Sequence, residues 1–332
     1  MSEDSVSRRG VIGAGAGLAS AAAAGVAAAQ EAAPRPSGAP DLQDPTTKYP
    51  RPPFPPQRQP WPGLASRMDP RPDHGERSYR GSGRLTGRKA LITGGDSGMG
   101  RAAAIAYARE GADVVITHLP AEQPDADEVI ALIHAAGRKG VSIPGDLRDA
   151  QFCRDLVARA VAALGGLDIL VSNAGRQQSF PTILDLPDEE FDAMMKTNIY
   201  APYYVIKAAI PHMPAGASII ATTSEQAYDP SPELYAYAQT KAATMNFVKS
   251  LSKELGKRGI RVNGVAPGPI WTPLQVSGGA TAQKQKEFGA NTSLGRAGQP
   301  AELAGIYVLL ADNGGSYATG QIYGSSGGGG QP

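Results

Sequence analysis

Short apolar runs recur along the chain from about residue 84 onward, separated by longer stretches whose apolar residues follow a helical period. Several of the runs are rich in β-branched residues, which favours strands buried on both faces of a parallel sheet. The runs occupy residues 90–93, 114–117, 141–143, 169–172, 218–222, 261–266 and 321–323, and the helical patterns occupy 101–109, 127–136, 149–164, 189–196 and 237–257.

The gaps between the runs are long enough to hold the crossover helices that parallel pairing requires. The alternation therefore predicts an α/β domain over residues 84–330, built on a single Rossmann-type, doubly wound parallel sheet of about seven strands. In such a sheet, ligands bind at the carboxyl ends of the strands.

The chain before this domain has a different composition. Thirteen of the 28 prolines lie between residues 34 and 72, and proline fixes φ and cannot donate to a helix or a central strand. Residues 30–83 are therefore predicted to form an extended arm without catalytic groups, either a solvated spacer or a segment docked on the domain or a neighbouring subunit. Four apolar side chains are available for docking: Phe54, Trp61, Leu64 and Met68.

The first 29 residues are typical of an export signal. Arg8 and Arg9 precede a weakly apolar stretch of Ala and Gly, which ends in Ala27-Ala28-Ala29. This pattern resembles a twin-arginine signal peptide with cleavage before Gln30. We expect export to the periplasm, with a cytoplasmic location as the alternative. No stable membrane anchor is expected, because so weakly apolar a stretch gains little by entering lipid.

Composition narrows the classes of partner. The chain has 32 basic and 31 acidic residues, a net charge of +1, which does not favour a nucleic-acid partner. Cys153, the single cysteine, rules out an intramolecular disulfide. The four histidines are scattered and give no metal-ligand spacing, so no metal site is expected. A small molecule is the expected partner.

A glycine-rich segment, Thr93-Gly94-Gly95-Asp96-Ser97-Gly98-Met99-Gly100, directly follows the first predicted strand. Glycine lets a pyrophosphate approach the backbone closely, and the start of the next helix offers N–H groups and a positive dipole end. A tight turn into a helix is the alternative. The position between the first strand and the first helix favours a dinucleotide site.

The end of the second predicted strand usually distinguishes NAD from NADP, through a carboxylate on the ribose or a basic group on the 2′-phosphate. His118 and Leu119 occupy that end, and His118 suits either cofactor. Asp96 in the glycine-rich segment would repel an additional phosphate. The expected cofactor is NAD or NADP, with NAD favoured.

Tyr237 and Lys241 lie four residues apart in a helical pattern, so the phenol and the ammonium face the same space. At about 5 Å and an effective dielectric constant near 20, the ammonium would bring the pKa of the tyrosine from ~10 towards roughly 7–8. Such a group exchanges a proton with an alcohol or carbonyl oxygen near neutral pH. Ser224, just past the run 218–222, is placed to hold that oxygen.

Together with three further segments, these residues make the domain resemble the short-chain dehydrogenase/reductase family from about residue 84 to residue 328. The likeness is greatest to the glucose/ribitol dehydrogenase-like and general stress reductases, through segments 72–76, 94–98 and 295–300. The motifs are Thr-Gly-x-x-x-Gly-x-Gly at 93–100, Asn-Ala-Gly at 173–175, the tetrad Asn198, Ser224, Tyr237 and Lys241, and Pro-Gly-x-x-x-Thr at 267–272.

The resemblance implies an NAD(P)-dependent oxidoreductase that moves hydride between nicotinamide and a carbonyl or alcohol. Tyr237 would be the general acid/base, and Lys241 would bind the nicotinamide ribose. Ser224 would orient the substrate, and Asn198 would hold a water in the proton relay. The alternatives are a nicotinamide-binding redox sensor or scaffold without turnover, and an epimerase or dehydratase that uses the cofactor transiently.

The resemblance also assigns contacts around the cofactor, with Asp146 at the adenine and Ile270 and Thr272 at the carboxamide. The residues expected to bind the cofactor are Thr93, Gly94, Asp96, Ser97, Gly98, Met99, Gly100, His118, Leu119, Asp146, Leu147, Asn173, Ala174, Gly175, Tyr237, Lys241, Pro267, Gly268, Ile270 and Thr272.

Two positions depart from the family pattern: Ser172 replaces a frequent Asn, and Ser325-Ser326-Gly327-Gly328 replaces Asp-Gly-Gly. The family implies a homotetramer formed through helix pairing. The change at residues 325–328 bears on this expectation, because that segment is expected to contact another subunit. Because the twin-arginine route carries folded proteins, we expect export with the cofactor already bound, aided by the arm.

The segment 271–296 is expected to form a lid over a small aldehyde, ketone, sugar or polyol. The side chains available to line that lid are Trp271, Leu274, Val276 and Phe288, with Gln275 and Gln283.

Overall fold

The computed structural model describes residues 42–329. The predicted signal peptide and the first part of the arm lie outside the described residues, as do residues 330–332. Residues 44–329 belong to one compact unit.

Within residues 42–329, seven parallel strands form one sheet in the order β3-β2-β1-β4-β5-β6-β7, which confirms the predicted fold. The order reverses between β1 and β4, so their carboxyl ends open a crevice of the kind that binds ligands in doubly wound sheets. The strands are β1 Lys89–Thr93, β2 Asp113–His118, β3 Gly140–Pro144, β4 Ile169–Ser172, β5 Ser218–Thr222, β6 Arg261–Pro267 and β7 Ile322–Ser325.

Helices cover both faces of the sheet, and all five predicted helical patterns coincide with helices. Three further helices, α5, α7 and α8, were not predicted. The helix α8 packs on α1 and the sheet but also carries apolar residues on its outer side, such as the exposed Leu309, and so it lacks an amphipathic period. The helices are α1 Gly98–Arg109, α2 Gln123–Ala135, α3 Ala150–Leu164, α4 Asp188–Met195, α5 Ala201–Ala209, α6 Tyr235–Leu255, α7 Ala282–Lys286 and α8 Ala301–Ala311.

Two apolar cores hold the layers together, one on each face of the sheet. The helices α1, α2 and α8 bury the first core, where the Tyr107 hydroxyl donates to the Tyr307 carbonyl at 2.9 Å. The second core lies under α3, α5 and α6 and includes Leu156 and Val205. Every residue of β4 and β5 is buried, as expected for central strands covered on both faces.

The described part of the arm packs on the domain rather than extending into solvent. Phe54 stacks on Trp271 with ring centroids 4.3 Å apart, and Met68 is buried in the same cluster. The Trp271 indole N–H donates to the Pro70 carbonyl at 2.8 Å. The change in composition near residue 84 is therefore not a packing boundary.

Within residues 42–329, no helix has both the length and the apolar character needed to cross a membrane. The same part of the chain contains no group of three or more His, Cys, Asp or Glu side chains arranged to hold a metal ion.

Candidate active site

The glycine-rich segment turns sharply from β1 into α1. Gly94 and Gly98 adopt φ of +63° and +52°, the left-handed region that glycine enters without strain. A Cβ on Gly100 would lie 2.0 Å from the Gly94 carbonyl oxygen. Only glycine at this position allows the turn to close, and closure places the first turn of α1 at the carboxyl end of β1.

Thr93 joins the ends of β1 and β4. Its hydroxyl oxygen accepts the backbone N–H groups of Asn173 and Ala174 at 2.9 and 3.1 Å. The Asn173 side chain in turn donates to the Gly94 carbonyl at 3.1 Å. The two predicted motifs therefore form one hydrogen-bonded unit where the strand order reverses.

Two carboxyl groups line the cavity beyond the end of β2. Asp96 is buried, and its Oδ2 has no hydrogen-bond partner among the described residues. The Glu122 carboxylate accepts the Leu119 backbone N–H at 2.7 Å. Burial raises the pKa of Asp96 and of Glu122, and their mutual repulsion raises the pKa of Glu122 further.

His118 is buried at the same edge, with its Nδ1 at 2.9 Å from the Leu119 carbonyl oxygen, to which it donates. Burial lowers the pKa of His118. Asp146 lines the cavity after β3. Its carboxylate binds Arg148, which lowers the pKa of Asp146 against the opposing effect of burial.

Tyr237 and Lys241, in the first turns of α6, are both buried and face the same cavity. The Lys241 ammonium donates to the Thr222 carbonyl at 2.8 Å and lies 5.5 Å from the centre of the Tyr237 ring. Ser224 lines the cavity just after β5, where its hydroxyl accepts the Gln226 N–H at 3.1 Å. The predicted catalytic face of α6 thus meets the carboxyl end of β5.

The pKa values differ from the sequence-based expectation. Burial raises the pKa of Tyr237 above its usual value, the neighbouring Ser224 hydroxyl lowers it, and the Glu225 carboxylate raises it. Burial lowers the pKa of Lys241 to about 8. The expected fall in the tyrosine pKa towards neutrality is therefore wrong for this pocket, because the simple Coulomb argument omitted desolvation of the phenolate.

Asn198 lies behind the cavity rather than in its wall. It occupies a π-helical segment, Lys196–Tyr200, between α4 and α5. Its amide pairs with both backbone groups of Arg176 at 2.8 Å and donates to the Thr240 hydroxyl at 3.0 Å. A π-helical turn often marks a functional position, and here it fixes the loop that follows β4.

Most of the predicted site residues line a single cavity. Thr93, Gly98, Gly100 and Asn198 are not among its lining residues and instead shape the backbone around it. The predicted residues that line the cavity are Gly94, Asp96, Ser97, Met99, His118, Leu119, Asp146, Leu147, Asn173, Ala174, Gly175, Ser224, Tyr237, Lys241, Pro267, Gly268, Ile270 and Thr272.

The lid expectation is partly wrong. Leu274, Gln275 and Phe288 line the cavity, but Trp271 and Val276 do not. Both of these belong to the apolar cluster with Phe54 and Met68, because the arm covers the outer side of the lid. Gln283 lies on the surface and donates to Glu287 at 2.7 Å.

Several lining residues were not predicted. Glu225 directly follows Ser224, so its adjacency was a usable signal. Arg176 directly follows the Asn-Ala-Gly motif, and Glu122 lies shortly after β2. The arm contributes Trp61, Pro62 and Gly63 to the cavity wall, and no local sequence pattern indicates this.

The arrangement suits proton transfer next to a bound dinucleotide. Glycine-rich backbone and a helix start are placed for phosphates, and the orphaned Asp96 Oδ2 is free to accept from a hydroxyl group. Tyr237 and Ser224 contribute two hydroxyl groups, and Lys241 an ammonium group, to one buried space.

Comparison with known proteins agrees with this geometry. The family described as Enoyl-(Acyl carrier protein) reductase matches residues 94–329. The Uncharacterized oxidoreductase YhxD of Bacillus subtilis is 58% identical over 278 residues, which cover 83% of this chain and 93% of YhxD. The Glucose and ribitol dehydrogenase of Daucus carota is 40% identical over 281 residues, covering 83% of this chain and 96% of that protein.

A solved structure has the same fold. A short chain dehydrogenase from Burkholderia cenocepacia J2315, crystallised in complex with NADP, superposes with a TM-score of 0.69 at 34% identity. The match covers 74% of this chain and 98% of that protein.

Proposed function

The chain belongs to the short-chain dehydrogenase/reductase family of oxidoreductases, and from this premise we propose that it transfers hydride between a nicotinamide cofactor and a carbonyl or alcohol group. The observation that carries the proposal is the convergence of Tyr237, Ser224 and Lys241 in the cavity that the glycine-rich segment borders. Bound nicotinamide supplies or accepts the hydride at the substrate carbon.

Within this scheme, the residues of the chain handle the substrate oxygen and its proton. The Ser224 hydroxyl holds the oxygen, and the Tyr237 hydroxyl gives it a proton in reduction or removes one in oxidation. The Lys241 cation, fixed by the Thr222 carbonyl, stabilises the tyrosinate that forms. Because burial opposes that charge, a positive neighbour is required for turnover near neutral pH.

The substrate is a small aldehyde, ketone, sugar or polyol. Two observations support the polyol and sugar classes. Polar groups, among them Glu225 and Gln226, line the cavity near Ser224, and they suit a substrate with several hydroxyl groups. A relative of this chain is named a glucose and ribitol dehydrogenase.

The test is turnover by the Tyr237→Phe variant. A panel of polyols, sugars and small aldehydes is assayed with NAD(H) and NADP(H) by nicotinamide absorbance, and the best substrate is taken forward. Tyr237→Phe should reduce kcat/KM by about 10²–10⁴-fold, the usual contribution of general acid/base catalysis. Tyr235→Phe, two residues earlier on α6, is the matched control and should retain activity. Unchanged turnover by Tyr237→Phe would refute the mechanism.

For the cofactor, we favour NAD over NADP. The Asp96 and Glu122 carboxyl groups line the cavity beyond β2, where their oxygens can accept ribose hydroxyls, and neither supplies the positive charge that pairs with a 2′-phosphate. The Burkholderia cenocepacia relative binds NADP, so the preference is not a property of the whole family.

Titration of both cofactors tests this preference. Wild-type protein should bind NAD⁺ more tightly than NADP⁺, and Glu122→Lys should reduce that ratio by about tenfold, since it places a positive charge where a 2′-phosphate would lie. Asp127→Asn, on the exposed side of α2, is the control. Tighter binding of NADP⁺ by wild type would contradict the assignment.

We also propose that the chain is exported by the twin-arginine route with its cofactor bound, from the arginine pair and small-residue cleavage pattern in residues 1–29. Fractionation of cells that express the full chain tests this. A mature protein that lacks residues 1–29 and appears only when the twin-arginine machinery is intact is the expected result. Full-length protein confined to the cytoplasm would refute export.

A homotetramer is the expected assembly. The aromatic side chains of Tyr200, at the end of the π-helical segment, and of Tyr203, on α5, are exposed. They border a groove that Phe247 of α6 also lines. Pairing of these helices between subunits would cover them. Sedimentation should give a tetramer for wild type and a smaller species for Tyr203→Glu; a monomeric wild type would refute the assembly.

A further inference from the structure

The arm forms a closed loop over the cavity, residues 59–64, which we name the Trp61 loop. The Gln59 side chain holds its two ends together: its oxygen accepts the Leu64 N–H at 2.8 Å, and its nitrogen donates to the Leu64 carbonyl at 3.0 Å. The Gln59 backbone N–H donates to the Val276 carbonyl at 2.9 Å. The loop is therefore pinned internally and to the lid.

The Trp61 loop packs closely on the lid, residues 271–296. Gly63 is buried, and a Cβ added there would lie 3.1 Å from the Pro273 carbonyl oxygen and 3.2 Å from the Ser277 Cβ. Such close seating leaves no gap through which a dinucleotide could pass between the loop and the lid.

Just beyond the loop, the arm is fixed to α2. The backbone N–H groups of Ala65 and Ser66 donate to the buried Asp125 carboxylate at 2.6 and 3.3 Å. Because α2 follows the end of β2, this anchor lies on the side where the cofactor ribose is expected. The arm thus spans from the lid to the nucleotide side of the crevice.

Trp61 itself contacts a third segment. Its ring lies 4.8 Å from the Arg176 guanidinium, which Glu190 holds at 2.6 Å. Arg176 directly follows the Asn-Ala-Gly motif after β4, and Asn198 binds both of its backbone groups. The indole is therefore supported by a rigid platform that adjoins the expected cofactor contacts.

The loop and its anchor thus touch three segments, after β2, β4 and β6, each of which lies one to six residues beyond residues assigned to the cofactor. Trp61, Pro62 and Gly63 also line the same cavity as those residues. We propose that the Trp61 loop is a cofactor-binding element: it closes the crevice over a bound nicotinamide dinucleotide, and Trp61 contacts that ligand. The inference rests on the proposed function, since it takes the ligand to be that cofactor.

The consequence is slow cofactor release. A dinucleotide leaves only after the loop lifts, which breaks the Gln59 hydrogen bonds and the Trp61–Arg176 contact. Such an element gives an exported enzyme a means of keeping a cofactor that is scarce outside the cytoplasm. Differences in affinity of this origin are expressed mainly in the dissociation rate.

The test measures NADH dissociation from the full-length protein in the stopped flow. NADH-loaded protein is mixed with excess NAD⁺, and the loss of bound-NADH fluorescence gives koff. Trp61→Ala, which removes the contact, and Gln59→Ala, which unlatches the loop from outside the cavity, should each raise koff by about tenfold or more. Trp61→Phe should restore most of the slow release, and Arg58→Ala, an exposed arm residue, should match wild type.

Three outcomes would overturn the inference. If koff for Trp61→Ala and Gln59→Ala stays within twofold of wild type, the loop does not retain the cofactor. If Trp61→Ala changes only the KM of the substrate, the loop belongs to the substrate end of the cavity. If wild type binds neither NADH nor NADPH, the proposed function fails together with the loop assignment, whereas the first two outcomes leave that function intact.

Discussion

Glu225 is placed to tune the proposed acid/base, Tyr237, beside it. It follows Ser224 directly, lines the same cavity and is close enough to Tyr237 to raise the pKa of that phenol. Burial and the nearby Asp229 raise the pKa of Glu225 to about 7. The carboxyl group is therefore neutral in mildly acidic solution and becomes charged as the pH rises through neutrality.

The sign of the resulting pH effect follows from charge repulsion. Ionised Glu225 disfavours the Tyr237 tyrosinate that the proposed alcohol oxidation requires. The rate of oxidation should therefore rise less steeply with pH above about 7 than below it. Glu225→Gln removes that charge and should abolish the inflection near pH 7 in a plot of log(kcat/KM) against pH.

Asp229→Asn provides the control for this experiment. This variant removes the Asp229 charge, which helps to raise the pKa of Glu225, and leaves the Glu225 carboxyl group in place. The inflection should therefore persist and move to lower pH. Superimposable profiles for wild type and Glu225→Gln would show that the carboxyl group does not act on the reaction.

At the scale of single elements, local sequence chemistry sets where helices begin. Asp149 caps α3, with its carboxylate accepting the backbone N–H groups of Gln151 and Phe152 at 2.7 and 3.3 Å. The predicted start of this helix coincided with that cap, because the capping residue and the helical period lie next to each other in the chain.

Loss of the cap should weaken the domain measurably. Asp149→Ala leaves two N–H groups without their side-chain acceptor and should lower the free energy of unfolding by about 1 kcal/mol in urea denaturation. Asp149→Asn retains an acceptor and should lose much less. Equal stability of the Ala variant and wild type would mean that solvent replaces the cap at no cost.

Some helices were not predicted because no local sequence pattern marks them. The helix α8 carries apolar residues on its exposed side as well as its buried side, Leu309 among them, so it presents no polar face from which a period can be read. The helix α5 continues from α4 through the π-helical segment that carries Asn198. The shift in period there interrupts the helical pattern, although it is what turns the Asn198 amide towards Arg176.

For the whole molecule, the arm and the lid are stabilised together. Phe54 of the arm stacks on Trp271 of the lid, in a cluster that also includes Met68 and Phe288. The arm covers the lid through this small cluster, separately from the two large cores beside the sheet. It should therefore open locally at a lower free energy than the sheet.

Phe54→Ala tests this separation. Truncation of a buried Phe in a core lowers the free energy of unfolding by about 3–5 kcal/mol. In Phe54→Ala, the lost stability should weaken the docking of the arm rather than the folding of the sheet. Hydrogen exchange should accelerate in residues 54–68 and in the lid, with little change in β4 and β5. Arg58→Ala is the control, and acceleration throughout the sheet would show that the arm is part of one cooperative unit.

The sequence alone determined the strands, the glycine-rich turn and the tyrosine–lysine face of α6, because each depends on residues that are adjacent or one helical turn apart. Only the tertiary structure decided which distant groups share the cavity. Trp61 reaches it through the docking of the arm, and Trp271 is withdrawn from it for the same reason. The tertiary structure also decided the pKa of Tyr237. Burial of its phenol depends on every segment that excludes water from it, and no local sequence pattern encodes their combined effect.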